Sequence, residues 1–338
     1  MIKTPINRFD FQLPEELIAQ YPLNDRGMSR LLVVDRGKES FDEFVFSDIE
    51  KIIPDDYFFV LNNTKVLKSR LYPKRVTGGK IEVFLLENIT GNRFKAMTKG
   101  KVKIGDTLFF EDGEKCKIVD YAEDNLKIVE IDNYQTVIDK YGHIPLPPYI
   151  KRGDEENDKI RYQTVYAEKE GSVAAPTAGL HFTEDILNRL KAKHQLFYIT
   201  LNVGIGTFKP IKTEYIEDHH MHKETFSISD DVKVKINELK SRGGKLLSVG
   251  TTTLRALESA SSDGRVIKSG DLETDIFIRP GYEFNIVDGL VTNFHLPKST
   301  LFILVCAFAG EKLMKEAYNY AIKNRFRFFS YGDAMLIL

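Results

Sequence analysis

The order of two hydrophobic patterns constrains this chain more than any other feature. In residues 1–63 and again in 149–338, apolar runs of strand length alternate with helical segments; residues 64–148 lack that alternation. Runs at 31–34 and 58–61 read as strands. A helix over 48–53 lies between them, with Ser47 as its cap, and a short helix at 15–20 follows Pro14. Past residue 161, strands are predicted at 196–203 and 245–249, and helices at 184–193, 232–241, 252–260, 301–309 and 311–324. Thr183 and Ser299 or Thr300 are suitable helix starts. In the middle, IEVFLL, RFKAM, TLFF, CKIVDY and LKIVEI are rich in β-branched and aromatic residues. Gly78-Gly79, Gly91-Asn92, Gly105-Asp106 and Asp112-Gly113 punctuate them. Short strands at such spacing predict a small all-β barrel or sandwich. PLPPYI, at 145–150, reads as a stiff exit linker. The expected architecture is an α/β domain built from both ends of the chain, with an all-β domain inserted at 64–148.

Charge and cysteine content narrow the class. The net charge of −1 argues against a polyanionic partner on overall charge alone, so any such argument is local. It is met between Lys65 and Lys103, where eleven basic residues face only Glu82 and Glu87 in sequence. Lys65, Arg70, Lys74, Arg75, Lys99, Lys101 and Lys103 are therefore candidate phosphate contacts, as is Arg327 in the basic-aromatic stretch KNRFRFFSY. Lysines guarding strand edges are the plainer alternative. Cys116 and Cys306 form no metal spacing or disulfide framework, and the N-terminus carries no apolar signal core. Cytoplasmic location, no membrane association and a monomer are the expectations. The apolar run 301–309 is too short for a membrane span.

Polar groups collect at predicted strand ends. GSVAAPTAGLHFT (171–183) surrounds His181 with small residues that leave room for a ligand. LNVGIGTF places Gly204, Gly206 and Thr207 after a strand, where α/β sheets bind ligands. SVGTTTLRALES sets Thr251, Thr252 and Arg255 at a helix start, suited to an anionic or polar ligand. HHMHKE supplies His220, His222 and Glu224, DIFIRPGY supplies Asp275, and TNFHLPKST supplies His295. Histidines with carboxylate partners suit acid–base chemistry near neutral pH. A metal-dependent α/β-barrel hydrolase using His220, His222, His295 and Asp275 is the alternative, and an RNA-binding module without catalysis is another.

These segments, in this order, resemble the S-adenosylmethionine:tRNA ribosyltransferase-isomerases of queuosine biosynthesis. The similarity also includes FQLPEELIAQYP, SRLLVVD, RYQTVYA and RFFSYGDAMLI and spans nearly the whole chain. The resemblance implies a distorted partial α/β barrel with an inserted small β-barrel. It implies transfer and isomerisation of the ribosyl part of S-adenosylmethionine onto 7-aminomethyl-7-deazaguanine at the tRNA wobble position. Epoxyqueuosine-tRNA, adenine and methionine would result. S-adenosylmethionine is then a co-substrate, and neither a metal nor another cofactor is expected. His181, His222 and His295 become acid–base candidates, with Glu224 and Asp275 as their partners. Arg255 would take the methionyl carboxylate, and Gly204, Gly206, Thr207, Thr251 and Thr252 would line the donor pocket. The chain departs from the family pattern at Asn63, Lys65, Asn202, Lys223 and Arg279.

Overall fold

A computed structural model describes residues 3–204, 211–262 and 266–338. At its centre lies the strand Tyr57–Asn62, all six residues of which are buried. The run YFFVLN has no polar alternation, as expected of a strand covered on both faces. Its side chains point alternately into two cores. Phe58 and Val60 join the larger one, and Tyr57, Phe59 and Leu61 the smaller. The strand pairs in parallel with Leu196–Leu201 on one side and Lys245–Val249 on the other. Beyond Lys245–Val249 the sheet continues through Gly289–Asn293, Ala334–Ile337, Arg30–Asp35 and Ser40–Val45. Beyond Leu196–Leu201 it continues through Glu224–Ile228 and Gly270–Thr274, which makes nine strands of mixed direction among the described residues. The N-terminal strand Tyr57–Asn62 thus sits between C-terminal ones, while Arg30–Asp35 and Ser40–Val45 form the edge beyond Ala334–Ile337.

Helix starts follow the local chemistry. Thr183 Oγ1 accepts from the Ile186 N–H at 3.1 Å to cap Glu184–Lys191, and Ser299 Oγ accepts from Phe302 N–H at 3.1 Å to cap Thr300–Ala309. Three local expectations are corrected. Ser47 caps nothing, because Phe46–Asp48 forms a 3-10 turn that runs straight into Ile49–Ile52. Only Glu15–Leu17 is helical after Pro14, again as a 3-10 turn. PLPPYI is not a solvated linker, since Leu146 and Ile150 are buried in a cluster with Val66 and Tyr162.

The middle of the chain forms a separate six-stranded antiparallel sheet. Its order is Arg70–Leu71, Glu82–Thr90, Arg93–Lys99, Lys127–Ile131, Lys115–Tyr121 and Thr107–Phe109. The expected all-β character fails at Tyr134–Tyr141, an α-helix whose Val137 and Ile138 fill the same core. Eight residues are too few for helical periodicity to stand out among neighbouring strands. Among the described residues no helix is long and apolar enough to cross a membrane. Cys116 and Cys306 are buried and unpaired with each other.

One buried carboxylate ties a long loop to the sheet. Glu258, near the end of helix Thr251–Ala260, accepts from the backbone N–H groups of Asn285, Ile286 and Val287 at 2.9, 3.1 and 3.0 Å. It also accepts from Tyr282 Oη at 3.1 Å. Those donors belong to the connection into strand Gly289–Asn293. Removing the acceptor strands several buried donors at once. Glu258→Ala is expected to lower the unfolding free energy by about 3 kcal/mol or more, measured by urea denaturation.

Candidate functional site

The parallel strands deliver their following turns to one end of the sheet, and a cavity of about 200 Å³ opens there. Residues 174–178, Val203, 250–252, 292–299 and Phe329–Ser330 line it, with Tyr149 and Leu301. Segments far apart in sequence therefore meet at one place. The small residues of the first segment leave this space, and closeness explains one of them. A Cβ on Gly179 would lie 2.1 Å from Tyr166 Oη, so the 3-10 turn Thr177–His181 packs there only with glycine. Gly250 carries a different demand. Its φ of +97° lets the chain swing from strand Lys245–Val249 into helix Thr251–Ala260. Thr251 and Thr252 then stand at the helix start, on the cavity wall.

His295 lines the cavity and is buried. Its Nε2 lies 2.9 Å from Thr292 Oγ1, while its backbone N–H donates to Tyr318 Oη at 3.0 Å. Its Nδ1 makes no hydrogen bond among the described residues. Burial drives the ring's pKa from 6.5 down to about 3, so it is held neutral, in the form that accepts a proton. His181 is buried too but differently engaged. Its Nδ1 is 2.7 Å from Ser29 Oγ and its Nε2 is 3.0 Å from Asn293 Nδ2. Its ring packs on Phe46, with centroids 5.0 Å apart. Burial, helped by the charges of Arg26 and Arg327, pushes it to about 3 as well. It reaches the cavity through Asn293 rather than directly.

The remaining predicted residues divide. Arg255 and Glu224 form a buried ion pair through Nη1 and Oε2, and Arg255 Nε donates to Ile276 O at 3.1 Å. Arg255 Nη2 is buried without a hydrogen-bond partner. Glu224 thus serves an arginine. Gly204 is partly exposed beside the cavity residue Val203. Gly206 and Thr207 lie outside the described residues. His220, His222 and Asp275 are exposed. Among the described residues no three His, Cys, Asp or Glu side chains gather as a metal site, so the hydrolase alternative finds no support.

The basic stretch is less bare than its sequence implies. Lys65 pairs with Glu170 at 2.8 Å, Arg70 with Glu82 at 3.4 Å, Lys74 with Glu111 at 3.5 Å and Arg75 with Asp106 at 3.8 Å. Glu170 comes from a distant strand, and Asp106 and Glu111 lie just beyond Lys103, so a count over 65–103 misses all three. Lys99, Lys101 and Lys103 are exposed and make no ion pair among the described residues. Arg327 is half-buried, donates to Tyr21 O and has its pKa lowered by burial.

Sequence reasoning missed Ser29, Tyr149, Thr292, Asn293 and Phe329 as site residues. Phe329 sat in a stretch marked for stacking, and Asn293 stood two residues from His295. Ser29 and Tyr149 stand in SRLLVVD and PLPPYI, segments with no cluster of chemically active residues to mark them.

Known proteins resemble this chain throughout. The sequence profile of the family described as "Queuosine biosynthesis protein" matches residues 6–337. The S-adenosylmethionine:tRNA ribosyltransferase-isomerase of Halothermothrix orenii is 49% identical over 98% of this chain and 99% of its own length. The enzyme of the same name from Legionella pneumophila (strain Lens) is 47% identical over 98% of each. The crystal structure of S-adenosylmethionine tRNA ribosyltransferase from Thermotoga maritima aligns with a TM-score of 0.56 at 33% identity, covering 98% of this chain and 100% of that one.

Two buried neutral histidines leave a pH signature. Each has a folded pKa near 3 against an unfolded value near 6.5, so their contribution is whole above about 6.5. As pH falls below that, the unfolded state binds protons that the folded state refuses, and stability drops until about pH 3. Each histidine is expected to cost about 1.4 kcal/mol per pH unit in this window. Urea denaturation between pH 7 and 5 checks it, and His295→Gln should remove one histidine's share of the slope.

Proposed function

The chain belongs to the queuosine biosynthesis protein family, and from that premise we propose how it works. It transfers and isomerises the ribosyl part of S-adenosylmethionine onto 7-aminomethyl-7-deazaguanine at the wobble position of tRNA. Adenine and methionine leave, and epoxyqueuosine remains. One observation carries this reading. The small-residue, threonine and histidine turns that resemble the family's motifs come from four distant segments and line a single cavity.

The chemistry requires proton transfer, anchoring of the donor and an exit for adenine. His295 has an accessible role because its neutral Nδ1 is uncommitted, so we assign it the proton taken from the reacting centre. Thr292 holds the opposite nitrogen and so sets the ring's orientation. Thr251 and Thr252 offer hydroxyl and backbone donors at a helix start to the donor's polar groups. Arg255, fixed by Glu224 and Ile276 O, keeps Nη2 for the methionyl carboxylate. Gly204, with Gly206 and Thr207, completes the donor side. His222 and Asp275, both exposed, are assigned to the incoming RNA substrate and the sulfonium charge. His181 acts by orienting Asn293.

The nine-stranded unit corresponds in this reading to a distorted partial barrel formed by 1–63 and 149–338, and residues 64–148 to an inserted tRNA-contacting domain. Lys99, Lys101 and Lys103 make no ion pair among the described residues and are its first phosphate contacts. Lys65, Arg70, Lys74 and Arg75 contribute after exchanging an acidic partner for phosphate, and Arg327 contributes at the domain that holds the cavity. The enzyme works in the cytoplasm as a monomer, with no cofactor beyond its co-substrate.

Incubation with S-adenosylmethionine and a precursor-bearing anticodon stem-loop should release adenine, and omission of the RNA should abolish release. Adenine release that ignores the RNA would refute the reading. His295→Gln is expected to lower kcat about 10²–10⁴-fold. Converting Lys99, Lys101 and Lys103 together to Glu should weaken tRNA binding and flatten its salt dependence, read from Kd at several salt concentrations. Unchanged affinity would remove these lysines from the interface.

A further inference from the structure

One side chain in the cavity wall has incomplete hydrogen bonding. Asn293 is buried and lines the cavity. Its Nδ2 donates to Phe329 O at 3.1 Å and meets His181 Nε2 at 3.0 Å. Its Oδ1 is buried with no hydrogen-bond partner. The amide cannot turn over, because Phe329 O is an acceptor and would then face another carbonyl oxygen. With Nδ2 so placed, His181 Nε2 must carry the lone pair, and the ring proton resides on Nδ1. Ser29 Oγ accepts that proton at 2.7 Å. Burial keeps His181 neutral, which preserves this arrangement. A chain of three side chains therefore fixes Oδ1 as an acceptor that the protein itself leaves unpaired. Buried polar groups are paired as a rule, and an orphan in a cavity wall points to a donor on a ligand.

A second, independent observation lies beside it. Phe329 has φ of +72°, a left-handed conformation that a side chain with Cβ rarely adopts. The fold imposes it through Phe329 N–H to Phe294 O at 3.1 Å and Gly332 N–H to Phe329 O at 2.8 Å. Such strain persists where the surroundings over-determine it, and it collects at ligand sites. Here it sets the Phe329 ring against Tyr149, with centroids 4.1 Å apart, and both residues line the cavity. Tyr149 Oη is in turn 2.6 Å from Ser330 Oγ. Two fixed aromatic rings next to an unpaired acceptor suit a flat heterocycle that carries an N–H at its edge.

We propose that Asn293 Oδ1 accepts a hydrogen bond from the exocyclic amine of a heteroaromatic base stacked on Phe329 and Tyr149, with His181 as the positioning residue that holds the amide. The inference rests on the function proposed above, which brings two amine-bearing bases to the cavity, adenine of the donor and 7-deazaguanine of the RNA. The test has an arm for each. One compares Kd for S-adenosylmethionine with that for its analogue lacking the adenine amine. The other compares the precursor stem-loop with one whose base lacks the 2-amine.

In one arm the unaltered protein is expected to prefer the amine by about tenfold, and that arm identifies the base. Asn293→Ala should erase the preference. His181→Phe, which fills the same space without an acceptor, should narrow it, whereas loss of structure alone would weaken both ligands equally. Phe329→Leu should weaken both ligands of that arm about tenfold yet keep the ratio between them. Equal affinities in both arms, or a preference that survives Asn293→Ala, would overturn the proposal while adenine release continued to support the function. No adenine release by the unaltered protein would overturn both.

Discussion

The structure depends on the double burial of the strand Tyr57–Asn62. Its alternate side chains feed two cores, and its edges accept parallel partners that come from much later in the chain. Parallel neighbours align their C-terminal ends, so the turns after 196–201, 245–249 and 289–293 emerge on one side. The cavity is the consequence. Val203, Gly250 to Thr252 and Asn293 to His295 sit together because the strands before them are in register with one buried ribbon.

Burial then does chemical work beyond holding the fold. It strips both His181 and His295 of their charged form, but hydrogen bonding gives them different tasks. His181 spends both nitrogens on Ser29 and Asn293 and becomes an orienting element. His295 spends one on Thr292 and retains the other. Two histidines of equal promise in sequence are thus separated by their neighbours. The same holds for Arg255, whose charge is matched by Glu224 across the interior.

Legibility in the sequence followed the range of the interaction. Strands such as 57–62 and 245–249, and the caps at Thr183 and Ser299, depend on residues within a few positions and were readable. Helix Tyr134–Tyr141 was not, because eight residues between strands leave little periodicity. PLPPYI looked like a linker because proline content reports stiffness, whereas its burial depends on Val66 and Tyr162. The excess positive charge between Lys65 and Lys103 was overestimated for the same reason. Glu111, Glu130 and Glu170 reach it only through strand pairing and chain return.

By itself the sequence determined the class of fold, the family through its ordered motifs, and the residue types at the strand ends. These follow from local pattern, which backbone periodicity and turn chemistry record directly. Only the tertiary structure decided which of those residues share a wall and which atoms remain free. A hydrogen bond between Asn293 and His181, or a ring contact between Tyr149 and Phe329, joins positions more than a hundred residues apart. No spacing rule reaches that far, because such contacts exist only once the sheet has set the distances.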